Sequence, residues 1–175
     1  MEKAKYTQLQ MVALALLRVV IGWHFLYEGI AKLLKPQWSA LPFLQQARGP
    51  LAGPYHWIAG NPDVLNSVNL LNIWGLILIG TALIVGCLTR TASAAGVLLI
   101  LLYYFCSPPF VGYFYSLPSE GSYLIVNKNL VEAAALLVTW AMASGRFYGI
   151  DRIFYRLRVA RQMRGARNEG VLVKS

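Results

Sequence analysis

The chain has 175 residues, 57% of them hydrophobic and only 13% charged, with a net charge of +9. So small a charged share, gathered around long apolar blocks, excludes an ordinary soluble domain and points to a bilayer. The excess of positive charge does not point to nucleic acid, because half of the Lys and Arg residues lie in the last 30 positions. A basic tail behind a hydrophobic block reads as a cytoplasmic anchor on anionic lipid.

Lys3 and Lys5 precede the first apolar run, as in a signal peptide. The run, however, passes Arg18 and reaches about Leu34 without a small-residue cleavage site, so it reads as a retained helix over about 10–34. Pro36, Pro42, Pro50, Pro54 and Pro62, with Gly49, Gly53 and Gly60, then mark an extramembrane loop. Its Trp38, Phe43, Tyr55 and Trp57 suit short helices lying at the membrane interface. A second span is expected over about 67–87. The tight connection Leu88-Thr89-Arg90-Thr91 leads to a third over about 92–105, stopped by Pro108-Pro109. An aromatic loop, charged only at Glu120 before Asn127, leads to a fourth span over about 126–144.

The fold class expected is therefore all-α: a four-helix transmembrane bundle occupying 1–146, followed by a basic cytoplasmic tail over 147–175. The positive-inside rule puts both termini in the cytoplasm, because Lys3, Lys5, Arg90 and the eight basic residues from Arg146 onward share one side. The 36–63 loop then faces the periplasm. Ile150, Ile153, Phe154 and Leu157 recur at helical spacing among arginines, so Ile150 to Arg161 reads as an amphipathic helix on the inner leaflet, with a disordered end beyond Arg164.

Ionisable groups inside spans are costly in hydrocarbon and often mark function. Arg18, His24, Glu28 and Lys32 fall within about one third of the first helix's circumference, at ~100° per residue. That stripe is expected to face the other helices. At 1.5 Å per residue Arg18 lies ~12 Å and Glu28 ~27 Å from Gln10. Asn69 and Asn72 of the second span, Tyr103 and Tyr104 of the third, and Asn129 and Glu132 of the fourth reach a level similar to that of Glu28. A polar pocket in the outer half of the bundle follows, with Glu28 and Glu132 as the catalytic candidates. Arg18, His24, Lys32, Asn69, Asn72, Tyr103 and Asn129 are the ligand-binding candidates. Plainer readings stand beside this one: Lys32 and Glu28 as a neutralising i,i+4 pair, Asn69 and Asn72 as interhelical glue, and His24 as a hydrogen-bonded core residue.

No metal site is expected, since no Cys or His has ligand spacing. Cys87 and Cys106 end spans on opposite sides, roughly 25–30 Å apart, beyond disulfide reach. That disfavours an internal dithiol cycle.

Arg18-Val19-Val20-Ile21-Gly22 followed by Gly29-Ile30-Ala31-Lys32 resembles the first-helix signature of the DoxX family. The stretch Gly75 to Thr91, with Gly80, Gly86 and Leu88-Thr89-Arg90, is similar to its second-to-third-helix turn. Asn129 to Asp151, closing on Gly145-Arg146-Phe147-Tyr148-Gly149-Ile150-Asp151-Arg152, looks like its final helix and exit. The resemblance covers about Leu9 to Phe154 and implies a four-helix protein of the bacterial inner membrane. The family includes the membrane partner of an archaeal thiosulfate:quinone oxidoreductase and bacterial members tied to oxidative-stress complexes. It implies Arg18, Glu28, Lys32 and Asn129 as pocket residues and a quinone as the candidate ligand, with no covalently bound cofactor. With no haem ligand pair, flavin fingerprint or iron–sulfur cysteine set, electrons would come from a protein partner or the substrate. Two functions stay open: a quinone-linked oxidoreductase subunit, or a non-enzymatic binding, carrier or assembly protein for a lipid, solute or partner. Homo-oligomerisation is open too, and an ion pathway ranks last because the inner half offers only Arg18 and Thr81.

Overall fold

The structure is a computed structural model and describes residues 6–116, 124–142, 145 and 148–152. Helix α1 spans Gln8–Leu34. It starts in a capping box, in which Thr7 Oγ1 accepts from the Gln10 backbone N–H and Gln10 Oε1 accepts from that of Thr7. It stops at Lys35, where the following Pro36 disfavours helical backbone. Two short helices follow, α2 at Leu41–Gln45 and α3 at Ala52–Ala59. Helix α4 spans Pro62–Val85. The helix starts five residues before the span expected from about 67, because Pro62 is favoured at a first helical position. Helix α4 ends on Gly86, whose φ of 72° suits glycine. Helix α5 spans Thr89–Cys106, so Thr89, Arg90 and Thr91 belong to the helix and not to the connection. Helix α6 spans Lys128–Met142 and is entered through Asn127, whose side chain accepts from Leu130 N–H at 3.1 Å.

Among the described residues α1, α4 and α5 are each long and apolar enough to cross a membrane. Their outward faces carry Leu16, Val20, Trp23, Leu71, Leu78 and Leu98, all exposed. Large apolar side chains spread over the whole outside suit lipid contact, not water.

Helix α1 packs most closely on α4 and α5 on α6. Glycines make the first contact close: a Cβ on Gly80 would lie 2.5 Å from Leu26 N and 2.7 Å from Gly22 O. Small residues at such crossings let backbones approach where no hydrophobic effect drives helices together. The second contact contains a buried Ser93–Thr139 hydroxyl pair at 2.9 Å. Phe25, Leu83 and Leu136 fill the centre.

The segment between α1 and α4 does more than lie at an interface. Ala40, Leu44, Ala47, Tyr55 and Leu65 form a second small core with Cys106. Tyr55 donates its hydroxyl to Leu102 O at 2.9 Å, and burial pushes that hydroxyl's pKa up. The segment is thus a cap on one end of the bundle. The 146/147 boundary and the amphipathic tail from Ile153 onward lie outside the described residues, as does Glu120.

Candidate functional site

The drift of a helical row explains where the ionisable groups go. The buried stripe of α1 is Arg18, Ile21, Gly22, Phe25 and Gly29. Each i,i+4 step rotates a residue by about 40° relative to that stripe. Lys32 therefore borders the core, Glu28 stands further round, and His24 is the most outward. The side chains follow: 17% exposed for Lys32, 46% for Glu28 and 47% for His24. The expectation that the whole stripe faces inward is corrected, because a row spaced by four drifts off an interface whose period is 3.6.

Lys32 sits under the cap. Its Nζ donates to Asn72 Oδ1 at 3.1 Å and lies 5.1 and 5.3 Å from the ring centres of Trp38 and Tyr103. Asn72 Nδ2 in turn donates to the Tyr103 hydroxyl at 2.5 Å. Phe43 meets Tyr103 edge-on at 6.0 Å. An ammonium between aromatic faces gains from their quadrupoles when water is excluded. Glu28 is the nearest acid, with Oε2 4.0 Å from Nζ, one helical turn away. Trp38 and Phe43 were read from the sequence only as interfacial aromatics; their part here depends on how the cap folds back.

A second group lies about 12 Å back along α1, at eight residues from Lys32. There His24 Nδ1 is 2.7 Å from Glu132 Oε1 of α6. Glu132 is 13% exposed. Glu28 stands between the two groups on the same helical row. The sequence could not pair His24 with a particular carboxylate, since 108 positions separate it from Glu132.

Three candidates fall outside these groups. Asn69 accepts from Ala40 N–H at 2.8 Å and approaches Ser39 Oγ at 3.4 Å, so it fastens the cap. Asn129 is half-buried in the first turn of α6, and no hydrogen bond among the described residues joins it to the others. Arg18 is at the opposite end of the bundle, 3% exposed, donating to Tyr148 O at 2.6 Å.

That opposite end explains the exit motif. A Cβ on Gly86 would lie 3.0 Å from both terminal nitrogens of Arg18 and 2.8 Å from Gly149 Cα. The Asp151 carboxylate accepts from Leu88 N–H at 2.8 Å and Thr89 N–H at 2.9 Å, capping α5 from 62 residues away. An anion there also meets the positive end of the helix dipole. Asp151 is near enough for its charge to act on Arg18, but the two form no ion pair. Cys87 lies beside this turn and Cys106 at the far end of α5; both are free. Among the described residues no His, Cys, Asp and Glu cluster could hold a metal ion.

No curated protein and no solved structure matches the chain. The DoxX family model matches residues 13–107, which include all but the first five residues of α1, the cap, α4, α5 and the Lys32 group. With more than half of its length matched, this chain belongs to the DoxX family, a family of membrane proteins.

Proposed function

We propose that this protein is the membrane subunit of a quinone-linked redox or stress complex in the bacterial inner membrane. The reading takes α6 as the fourth span, places both termini in the cytoplasm, and sets the cap and the Lys32 group toward the periplasm. Lys32, Asn72 and Tyr103 would bind and orient a quinone headgroup, and Glu28 and Glu132 would exchange the protons that accompany its reduction. The single observation that supports it is the row of polar groups along one flank of α1. Glu28 stands between the Lys32 group and the His24–Glu132 pair, so donors and proton acceptors share one flank of α1. A headgroup can be held by a few convergent polar groups while its isoprenoid tail stays in lipid. Thiosulfate:quinone chemistry comes from the family likeness alone, and a protein partner would supply the electrons.

A specific observation favours a second reading, a non-enzymatic binding, carrier or assembly protein. Lys32, Asn72 and Tyr103 already satisfy one another, as a structural network would. Purification of the native protein from membranes, with mass spectrometry of co-purifying lipids, separates the two. The quinone reading predicts a stoichiometric quinone that Glu28→Gln or Lys32→Met depletes. An undiminished partner complex carrying no quinone would favour the second.

A further inference from the structure

Helices α1 and α6 meet along a seam whose two ends differ in chemistry. On α1, Leu16, Val20, His24 and Glu28 follow one another at one-turn steps. Leu16 and Val20 are exposed and apolar. Glu28, toward the cap, is charged and half-exposed. On α6, Lys128 stands one turn before Glu132, and the charges of Glu28 and Lys128 both reach His24. The border of His24 is therefore polar toward the cap and apolar toward the middle of the bundle. That gradient suits an amphiphile lying with its head toward the cap and its tail in hydrocarbon.

The pair at the centre of this seam presents a donor. His24 Nδ1 and Glu132 Oε1, 2.7 Å apart, share one proton. Held as imidazolium and carboxylate, or as neutral imidazole and carboxylic acid, the pair carries a second proton on Nε2. The form with Nε2 bare would put a net negative charge on the pair. Glu28 and Lys128 carry opposite charges and offset each other, so that charge would stand uncompensated in a poorly solvating border. Nε2–H makes no hydrogen bond among the described residues, and the His24 side chain is 47% exposed. Lys32, Asn72 and Tyr103, by contrast, already bond one another. His24 thus offers an open donor on this flank of α1.

On the proposed quinone-linked reading, which this inference rests on, the acceptor is a carbonyl oxygen of the oxidised carrier. We infer that the α1–α6 seam is a lateral docking site for the quinone: His24 Nε2–H donates to one headgroup carbonyl, and Glu132 positions the imidazole from behind. The headgroup enters from the lipid, and the chain that follows it lies over Val20 and Leu16. His24 is a binding residue here and Glu132 a positioning residue. The two amide substitutes for histidine separate those roles. Asn places its amide N–H where Nδ1 stood, so it keeps the bond to Glu132 and lacks the outer donor. Gln reaches the place of Nε2, so it keeps the outer donor and gives up the bond to Glu132.

The test uses the full chain in lipid nanodiscs, with decylubiquinone ¹³C-labelled at its carbonyls as the probe. The chain has two histidines, so ¹⁵N-histidine labelling reports only on His24 and on His56 of the cap. The expected result in the unsubstituted chain is a ¹⁵N–¹³C dipolar contact between a histidine Nε2 and the quinone carbonyl, retained in His56→Asn. Binding should weaken by about tenfold in His24→Asn and by less in His24→Gln. A purely structural histidine predicts the reverse order, because only Asn preserves the α1–α6 bond, and that order overturns the inference. Quinone binding with no contact at His24 also overturns it and leaves the quinone reading standing; the unsubstituted chain alone decides this. A contact from Nε2 to ¹³C-labelled lipid ester carbonyls that excess decylubiquinone does not displace makes the seam a lipid site, and the inference fails. Binding of no quinone at all overturns both.

Discussion

The two ends of the bundle handle buried polarity in opposite ways. At the Gly86 end, Arg18 and Asp151 bond to backbone: one guanidinium nitrogen donates to Tyr148 O while Arg18 Nε and Nη1 are buried without hydrogen-bond partners among the described residues, and the carboxylate accepts from the first N–H groups of α5. At the capped end Asn69 and Tyr55 also bond backbone, but the ionisable side chains meet other side chains, and the row from Lys32 to His24 grades from enclosed to exposed. Charge fixed to backbone serves the fold, because moving it would uncap a helix. Charge held by other side chains on a drifting helical row can change partners. Position within the first helix, rather than residue type, decides which of its ionisable groups is structural.

Substitutions at the two ends should therefore split cleanly between stability and ligand binding. The largest effect is expected for Arg18→Leu, which frees Tyr148 O and loosens the contact with Gly86. Unfolding in detergent should show a loss of about 2–4 kcal/mol, with quinone affinity unchanged. Asp151→Asn comes next, at about 1–2 kcal/mol through the weakened cap of α5, again with no change in binding. A ligand-binding defect in either variant would erase the distinction between the ends. Glu28→Gln should do the reverse. Its pair with Lys32 is long and half-exposed, so stability should change by under about 0.5 kcal/mol. Quinone reduction in the native complex should slow by about tenfold or more if Glu28 exchanges protons. Lys32→Met is expected to cost about 1 kcal/mol through the lost Asn72 bond and to weaken quinone binding severalfold. The smallest effect belongs to the cysteines. At opposite ends of α5 they cannot meet, so oxidant treatment should leave the chain without an internal disulfide.

Much of this architecture is legible in the sequence. The lengths of the apolar blocks announce the long helices, and the prolines after Leu34 announce the break. The boundaries were less legible where a helix starts in loop-like sequence: Pro62 opens α4 and Thr89 opens α5, each with residues that also suit turns. The level of the site could be estimated by counting residues at a fixed rise, and Lys32, Asn72 and Tyr103 do converge. What could not be read is pairing across the chain. Nothing local to His24 points to Glu132, and nothing local to Thr89 points to Asp151, because tertiary packing alone sets those contacts. The inward orientation of the whole stripe fails for a simpler reason: a four-residue spacing drifts by about 40° per step, so His24, two steps from Lys32, already stands about 80° further round from the buried face.

The most direct test of the central claim is photolabelling in native membranes with an azido-quinone, followed by peptide mapping. The account predicts that label falls on α1 between His24 and Lys32 and on the first turns of α6 around Glu132, and that excess unlabelled quinone suppresses it. Label confined to the Arg18–Tyr148 end, or none that quinone can compete away, would contradict it.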